Sequence, residues 1–99
     1  MLDKLQSSNF RPHLNQSFRI QPTDSEPIDL TLMSVTELGQ ANKPETRRPF
    51  SLIFLGPVSQ RFLGQSIYRL EHEQMGSFEL FIVPIGPEAG RMRYEAILT

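Results

Sequence analysis

The side chains best suited to acid–base chemistry are the two histidines, His13 and His72. An imidazole can transfer a proton or bind a metal ion near neutral pH, but both roles need a partner group at a suitable spacing. His13 follows Pro12 in a predicted loop, and His72 lies 59 positions later with no histidine close to it in sequence. The spacing favours a hydrogen-bonded His72 that braces the turn before Gly76 over a catalytic or metal-binding one. Because Tyr68 shares the predicted strand face of His72, these two residues form the candidate polar site.

The other polar residues form no recognisable catalytic pattern. Glu71, Glu73 and Glu79 fall on the outward face of a predicted hairpin beside Arg69, where charge pairing across strands explains them. The serines lack a Gly-x-Ser-x-Gly setting, and the glycines are spaced as turn formers rather than as a phosphate-binding loop. We therefore expect no enzyme activity, no metal site and no cofactor.

One short basic cluster is a candidate anion contact. It consists of Lys43, Arg47 and Arg48, and Glu45 partly offsets its charge. Across the chain, ten Lys and Arg against 11 Asp and Glu leave a net charge of -1. Such a balance gives no broad field that attracts nucleic acid or an anionic membrane, so neither partner is expected.

Length and composition indicate a globular protein with one domain, residues 1–99. The chain is 38% hydrophobic and contains no cysteine, which excludes disulfides and cysteine nucleophiles. The first residues lack the apolar segment of a secretory signal, and no apolar run approaches the roughly 20 residues that span a bilayer. We expect a soluble, cytoplasmic protein.

The N-terminal region, residues 1–16, predicts a short helix followed by a loop. The helix falls within residues 3–10, with Asp3 as its cap, and Pro12 ends it. Residues 39–49 contain two prolines and no hydrophobic side chain larger than alanine, which is typical of an exposed loop between strands.

Residues 17–99 predict an antiparallel β domain. Period-two alternation of apolar and polar residues recurs in about six runs, and Gly and Pro turns separate most of them. The run at 50–55 is expected to end at Gly56-Pro57, and 65–73 is expected to pair with 78–85 as a hairpin. The fold class is mainly β, either an antiparallel meander or a small, partly closed barrel, with the short helix in front.

Two predicted strands carry apolar residues on both sides. The side opposite the predicted core side holds Ile53, Leu55, Phe81, Val83 and Ile85. Either the N-terminal segment or the curl of a barrel covers this second side, or it is an interface for another protein or another copy. Burial of the five side chains would contribute on the order of 10 kcal/mol of gross transfer free energy, enough to hold a complex.

Several blocks of the sequence resemble a bacterial family of small proteins, the domain of unknown function 6916. They are Arg48-Pro49-Phe50 through Gly56-Pro57, Tyr68-Arg69-Leu70-Glu71-His72, Met75-Gly76, Leu80 through Pro87 and Arg93 through Ile97, together with an opening like Phe10 through Phe18. Asn15 stands where the family pattern has glycine. The resemblance covers nearly the whole chain and implies a small β protein without an enzymatic role, in a phage-tail-like context.

The leading hypothesis is a non-enzymatic interaction, adaptor or assembly domain that associates through its apolar β face, with a protein partner or as a homo-oligomer. The alternative is a small-molecule-binding barrel, or an enzyme, with a site near Tyr68 and His72.

Overall fold

The structure is a computed structural model, and it describes residues 5–22, 26–39, 48–58 and 62–99. The chain begins with a short helix, α1 (Ser7–Phe10), and a 3₁₀ turn (Arg11–His13). Six strands follow: β1 (Ser17–Ile20), β2 (Ile28–Glu37), β3 (Phe50–Val58), β4 (Ser66–His72), β5 (Gly76–Glu88) and β6 (Arg91–Leu98).

The six strands form a closed antiparallel barrel in the order β1-β2-β3-β6-β5-β4. The prediction of six antiparallel strands behind a short helix is confirmed. The meander that the sequence left open is wrong, because β3 pairs with β6 and β1 pairs with β4. Closure removes the exposed strand edges that a small open sheet would present to solvent.

The alternation of side chains separates the interior of the barrel from its surface. In β1 and β2, for example, the inward pairs are Phe18 with Leu30 and Ile20 with Ile28, and all four side chains are buried. Polar residues between them, such as Arg19 and Asp29, point outward and form an ion pair at 3.1 Å. Because the period of a strand is two residues, this pattern fixes the register of the hairpin.

Aromatic rings fill one end of the barrel, and α1 contributes to them. The Phe10 side chain is fully buried, with its ring centroid 6.3, 5.9 and 5.7 Å from those of Phe18, Phe50 and Phe78. These separations are typical of packed aromatic pairs. The N-terminal segment therefore closes this end of the barrel as part of the core.

Three predicted boundaries need correction or fall outside the described residues. Gln6 is the N-cap of α1, and its backbone N–H donates to the Asn9 side chain at 2.7 Å, whereas the predicted cap Asp3 is not among the described residues. Strand β3 continues through Gly56-Pro57 to Val58, because a shift in its pairing with β6 accommodates the proline. Of the predicted loop 39–49, residues 40–47 lie outside the described part.

Tyr94 on β6 stabilises another part of the barrel through a buried hydrogen bond. Its side chain is buried, and its hydroxyl accepts a hydrogen bond of 2.9 Å from the backbone N–H of Leu63, itself a core residue. Burial raises the pKa of the Tyr94 hydroxyl, so the group stays neutral at physiological pH. The bond fixes Leu63, three residues before β4, against β6.

We expect Tyr94→Phe to lower the free energy of unfolding by about 1 to 3 kcal/mol, because a buried N–H of Leu63 then has no acceptor. Urea denaturation measures the change. The matched control is Tyr68→Phe: the Tyr68 hydroxyl donates to the exposed carbonyl of Gly64, so the loss should stay below about 0.5 kcal/mol. Equal losses in the two variants would contradict the role given to Tyr94.

Candidate functional site

Four neighbouring strands carry outward-facing apolar side chains on one side of the barrel. Ile67 on β4 lies directly opposite Phe81 on β5, with 63% and 49% of the two residues exposed. On β6, Ile97 is 54% exposed, and on β5, Ile85 is 37% exposed. With two half-buried neighbours these residues form what we call the outer apolar face: Ile53, Ile67, Phe81, Val83, Ile85 and Ile97.

The structure places the five predicted interface residues at different depths. Phe81 and Ile85 are exposed, and Ile53 and Val83 are half-buried. Leu55 points outward and lies outside the core cluster, but only 9% of it is exposed. Leu55 is flanked by its register partners, Thr31 on β2 and Arg93 on β6. It is therefore covered by neighbouring residues and does not belong to the accessible part of the outer apolar face.

Sequence reasoning missed Ile67 and Ile97, which are the two most exposed members of the face. Alternation along β4 and β6 does assign both side chains to the outward direction. On the outward side of its own strand each is a single apolar residue next to charged or polar ones, and single exposed apolar residues are common in soluble proteins. Only the barrel order, which places β4 and β6 on either side of β5, brings them next to Phe81.

A polar pair lies within the outer apolar face. Glu95 on β6 lies between Val83 on β5 and Ile53 on β3, and its carboxylate accepts a 2.7 Å hydrogen bond from the Ser51 hydroxyl. Arg93, two residues earlier on the same side of β6, is half-buried, and its Nε has no hydrogen-bond partner among the described residues. A desolvated donor without an acceptor is costly in a free molecule.

A second feature, at the end of the barrel closed by α1, joins the two histidines. The rings of His13 and His72 are 4.4 Å apart between centroids, and both donate to the side-chain oxygen of Gln16. The two distances are 2.9 Å from His13 Nδ1 and 2.7 Å from His72 Nε2. The sequence separates the histidines widely, and the 3₁₀ turn before β1 brings them together.

The hydrogen bonds of His72 determine which ring nitrogen carries the proton. Nδ1 accepts from the backbone N–H groups of Gln74 and Met75 at 3.0 and 3.2 Å, so the proton of the neutral ring is on Nε2. Burial, followed by the nearby His13, lowers the pKa of His72, and Glu73 opposes this weakly. Both nitrogens are thus engaged, and the side chain braces the turn before Gly76.

The structure does not bring together the two residues of the predicted polar site. Tyr68 and His72 lie on the same side of β4 with Leu70 between them, and Tyr68 donates to Gly64 at 2.7 Å near the start of the strand. His72 lies at the other end, with His13 and Gln16.

The model of the family described as Domain of unknown function (DUF6916) matches residues 5–98. This chain belongs to that family. No curated protein and no solved structure gives a significant match to it. Within the described parts of the DUF6916 chain, no helix has the length and apolar character needed to cross a membrane.

The predicted anion contact of the DUF6916 chain is only partly described, since Lys43 and Arg47 lie outside the described residues. Arg48 forms an ion pair with Glu37 at 3.3 Å, and the same carboxylate accepts hydrogen bonds from the side chains of Ser7 and Arg11. The hydrogen bond from Arg48, followed by that from Ser7, holds the pKa of Glu37 below its usual value. Glu37 on β2 therefore links Arg48, which lies just before β3, to Ser7 and Arg11.

An open cleft of about 540 Å³ adjoins His72 between β1 and β4 in this DUF6916 domain. Its charged lining consists of Arg19, Asp29, Glu71 and Glu73. Arg19 and Asp29 pair with each other, and the hydrogen bonds of His72 go to Gln16, Gln74 and Met75. In the described part of the chain, no three His, Cys, Asp or Glu side chains are grouped to hold a metal ion.

Proposed function

We propose that this DUF6916 chain is a non-enzymatic protein-interaction domain that associates through its outer apolar face, with a second copy or with another protein of an assembly. The observation that carries the proposal is the contrast between the two sides of the barrel. The interior is filled by the chain's own side chains, whereas Ile67, Phe81, Ile85 and Ile97 remain 37% to 63% exposed on adjoining strands. Such a concentration of exposed apolar residues marks an interaction surface.

The size of the outer apolar face suits a specific protein contact. At about 150 to 250 Å² for a large apolar side chain, the four exposed members offer roughly 300 to 500 Å² of surface. An interface of standard size buries about 800 Å² on each partner, of which rather more than half is apolar. The exposed apolar area is therefore close to what one side of such an interface needs.

Charge on and beside the face also supports association. Arg93 has an unpaired buried Nε, and a carboxylate or carbonyl oxygen from a partner would satisfy it. Arg69 and Glu79, opposite each other on β4 and β5, contribute one charge of each sign. Because the whole chain carries a net charge of only -1, two copies repel each other weakly.

The same observations favour this role over a ligand-binding barrel or an enzyme with a site at Tyr68 and His72. The interior is occupied by packed rings, Tyr68 and His72 lie apart on β4, and both imidazole nitrogens of His72 are hydrogen-bonded. A phage-tail-like assembly in a bacterial cytoplasm, the setting that the family resemblance implies, is part of the proposal.

The test compares Phe81→Glu with the wild-type chain. A charge at the centre of a desolvated contact has no partner, so we expect association to weaken by about a hundredfold or more. Light scattering after size exclusion should give a mass above 11.4 kDa for the wild type and 11.4 kDa for Phe81→Glu, with unchanged circular dichroism. Leu38→Glu is the matched control, since Leu38 is 48% exposed but follows β2, a strand that contributes no residue to the outer apolar face. It should keep the wild-type mass.

A wild-type chain that is monomeric by itself is next tested against an extract of its native host. A bound protein that Phe81→Glu loses and Leu38→Glu keeps supports the proposal. If the wild type neither self-associates nor retains any protein by this criterion, the outer apolar face is not an interface. If Phe81→Glu unfolds, Phe81 belongs to the core and the proposal also fails.

A further inference from the structure

The seam between β1 and β4 is the shortest pairing in the barrel. Only two residue pairs connect these strands, Arg19 with Glu71 and Ile20 with Leu70, whereas β4 and β5 share seven. A barrel closed by so few backbone pairs depends on side chains next to the seam. Opening is therefore easiest here.

The hydrogen bond between Gln16 and His72 lies directly beside this seam. Gln16 immediately precedes β1 and His72 is the last residue of β4, so their 2.7 Å side-chain contact adds a connection beyond the two-residue ladder. His72 also stacks against Phe18 of β1, with ring centroids 4.6 Å apart. One side chain thus connects β1, β4 and the turn that follows β4.

The two contacts at Nδ1 require a neutral His72, whereas the Nε2–H group donates to the Gln16 oxygen in either protonation state. A proton added at Nδ1 would face the two backbone N–H groups of Gln74 and Met75, which now donate to that atom. A donor cannot replace an acceptor there, so the bracing of the turn would be lost. The Gln16 side-chain oxygen accepts a hydrogen bond from each of the two imidazole rings. A positive charge on His72 would therefore lie close to the His13 ring.

The charged and titratable groups around His72 come from five parts of the chain. His13 of the 3₁₀ turn opposes a positive charge on His72, and Glu73 in the following turn favours it. The cleft wall adds Arg19 from β1, Asp29 from β2 and Glu71 from β4, while the part of β5 that lines it, Gly76 and Ser77, is uncharged. Burial outweighs the carboxylates, because the pKa of His72 lies below its ordinary value of 6.5.

We propose that His72 is a proton-sensitive catch: the neutral ring fastens the β4–β5 turn to the β1–β4 seam, and protonation releases the turn. A group whose pKa is lower in the folded state contributes stability that is present above its unfolded value. That contribution is lost as the pH falls below about 6.5 and through the folded value.

The experiment is an NMR titration of the wild-type chain from pH 7.5 to 5. We expect the His72 ring to titrate below 6.5 from the form protonated at Nε2. In the same pH range, the corrected exchange protection of the Gln74 and Met75 amides should fall about tenfold or more. Amides in the β3–β6 ladder provide the internal control and should keep their protection.

Two variants distinguish the effect of His72 protonation from a general sensitivity of the protein to acid. His72→Asn keeps a side-chain acceptor but cannot titrate in this range, so its turn amides should show no pH-dependent loss of protection. His13→Gln removes only the neighbouring imidazole, so the midpoint of the His72 titration should rise while the turn amides still lose protection when His72 is protonated. The proposal is overturned if His72 titrates at or above 6.5, or if the turn amides stay protected while its ring becomes charged. The wild-type titration decides this even if His72→Asn does not fold.

Discussion

Phe10→Ala is expected to lower the free energy of unfolding by about 3 to 5 kcal/mol, the cost of removing a large aromatic ring from a packed core. Phe10 lies on a four-residue helix that is not stable alone, so the stabilisation that its side chain provides comes from packing inside the barrel. The ring contacts three other aromatic rings from β1, β3 and β5. Its removal leaves a cavity that three separate strands would have to move to fill.

Urea denaturation followed by circular dichroism measures this loss, with an unchanged denaturant dependence indicating the same unfolding reaction. Leu14→Ala is the control in the same segment, because Leu14 is 36% exposed and its truncation should cost less than about 0.5 kcal/mol. A loss below about 1 kcal/mol for Phe10→Ala would mean that the N-terminal segment only covers the barrel and does not complete its core.

Local patterns were sufficient to predict most strands of this fold. The turn at Met75-Gly76 and clear alternation on both sides predict the β4–β5 hairpin, and the register from Leu70–Phe78 to Ser66–Ile82 matches it. In the same way, alternation along β6 places Tyr94, Ala96 and Leu98 inside. These elements pair with sequence neighbours, so turn chemistry and side-chain period are both local information.

Closure of the barrel depends on contacts that no local pattern contains. Pairing of β3 with β6 joins residues distant in sequence, as in Ser51 with Ile97, and the β1–β4 seam joins Arg19 to Glu71. Many registers satisfy the alternation of each strand, and the choice among them comes from packing the whole interior at once. The meander and the barrel were therefore equally compatible with the sequence.

The same limit explains what was missed around the two candidate sites. His13 meets His72 only because a 3₁₀ turn folds the N-terminal segment over the barrel end. Likewise, Ile67 and Ile97 become part of an apolar surface only after β4, β5 and β6 lie side by side. The apolar character of β3 and β5 on two sides was visible, since it resides in consecutive residues of one strand.

Ile82→Glu is expected to prevent folding altogether. Ile82 is fully buried on the inner side of β5, and a carboxylate there has neither water nor a cation. The cost of burying such a charge is several kcal/mol or more beyond the lost apolar contacts, comparable to the whole stability of a small domain. Circular dichroism and an NMR amide spectrum should report an unfolded chain, whereas Ile82→Val should fold with a loss of about 0.5 to 1.5 kcal/mol.

The neighbouring residue provides the decisive comparison, because Phe81 and Ile82 differ by one position and face opposite sides of the same strand. Phe81 is 49% exposed, so a carboxylate at that position stays hydrated in the free molecule and Phe81→Glu should fold. A folded Ile82→Glu would mean that the interior is not sealed, and an unfolded Phe81→Glu would mean that the outer side is also core. Only the opposite outcomes at the two positions are consistent with a closed barrel whose outer apolar face is available to a partner.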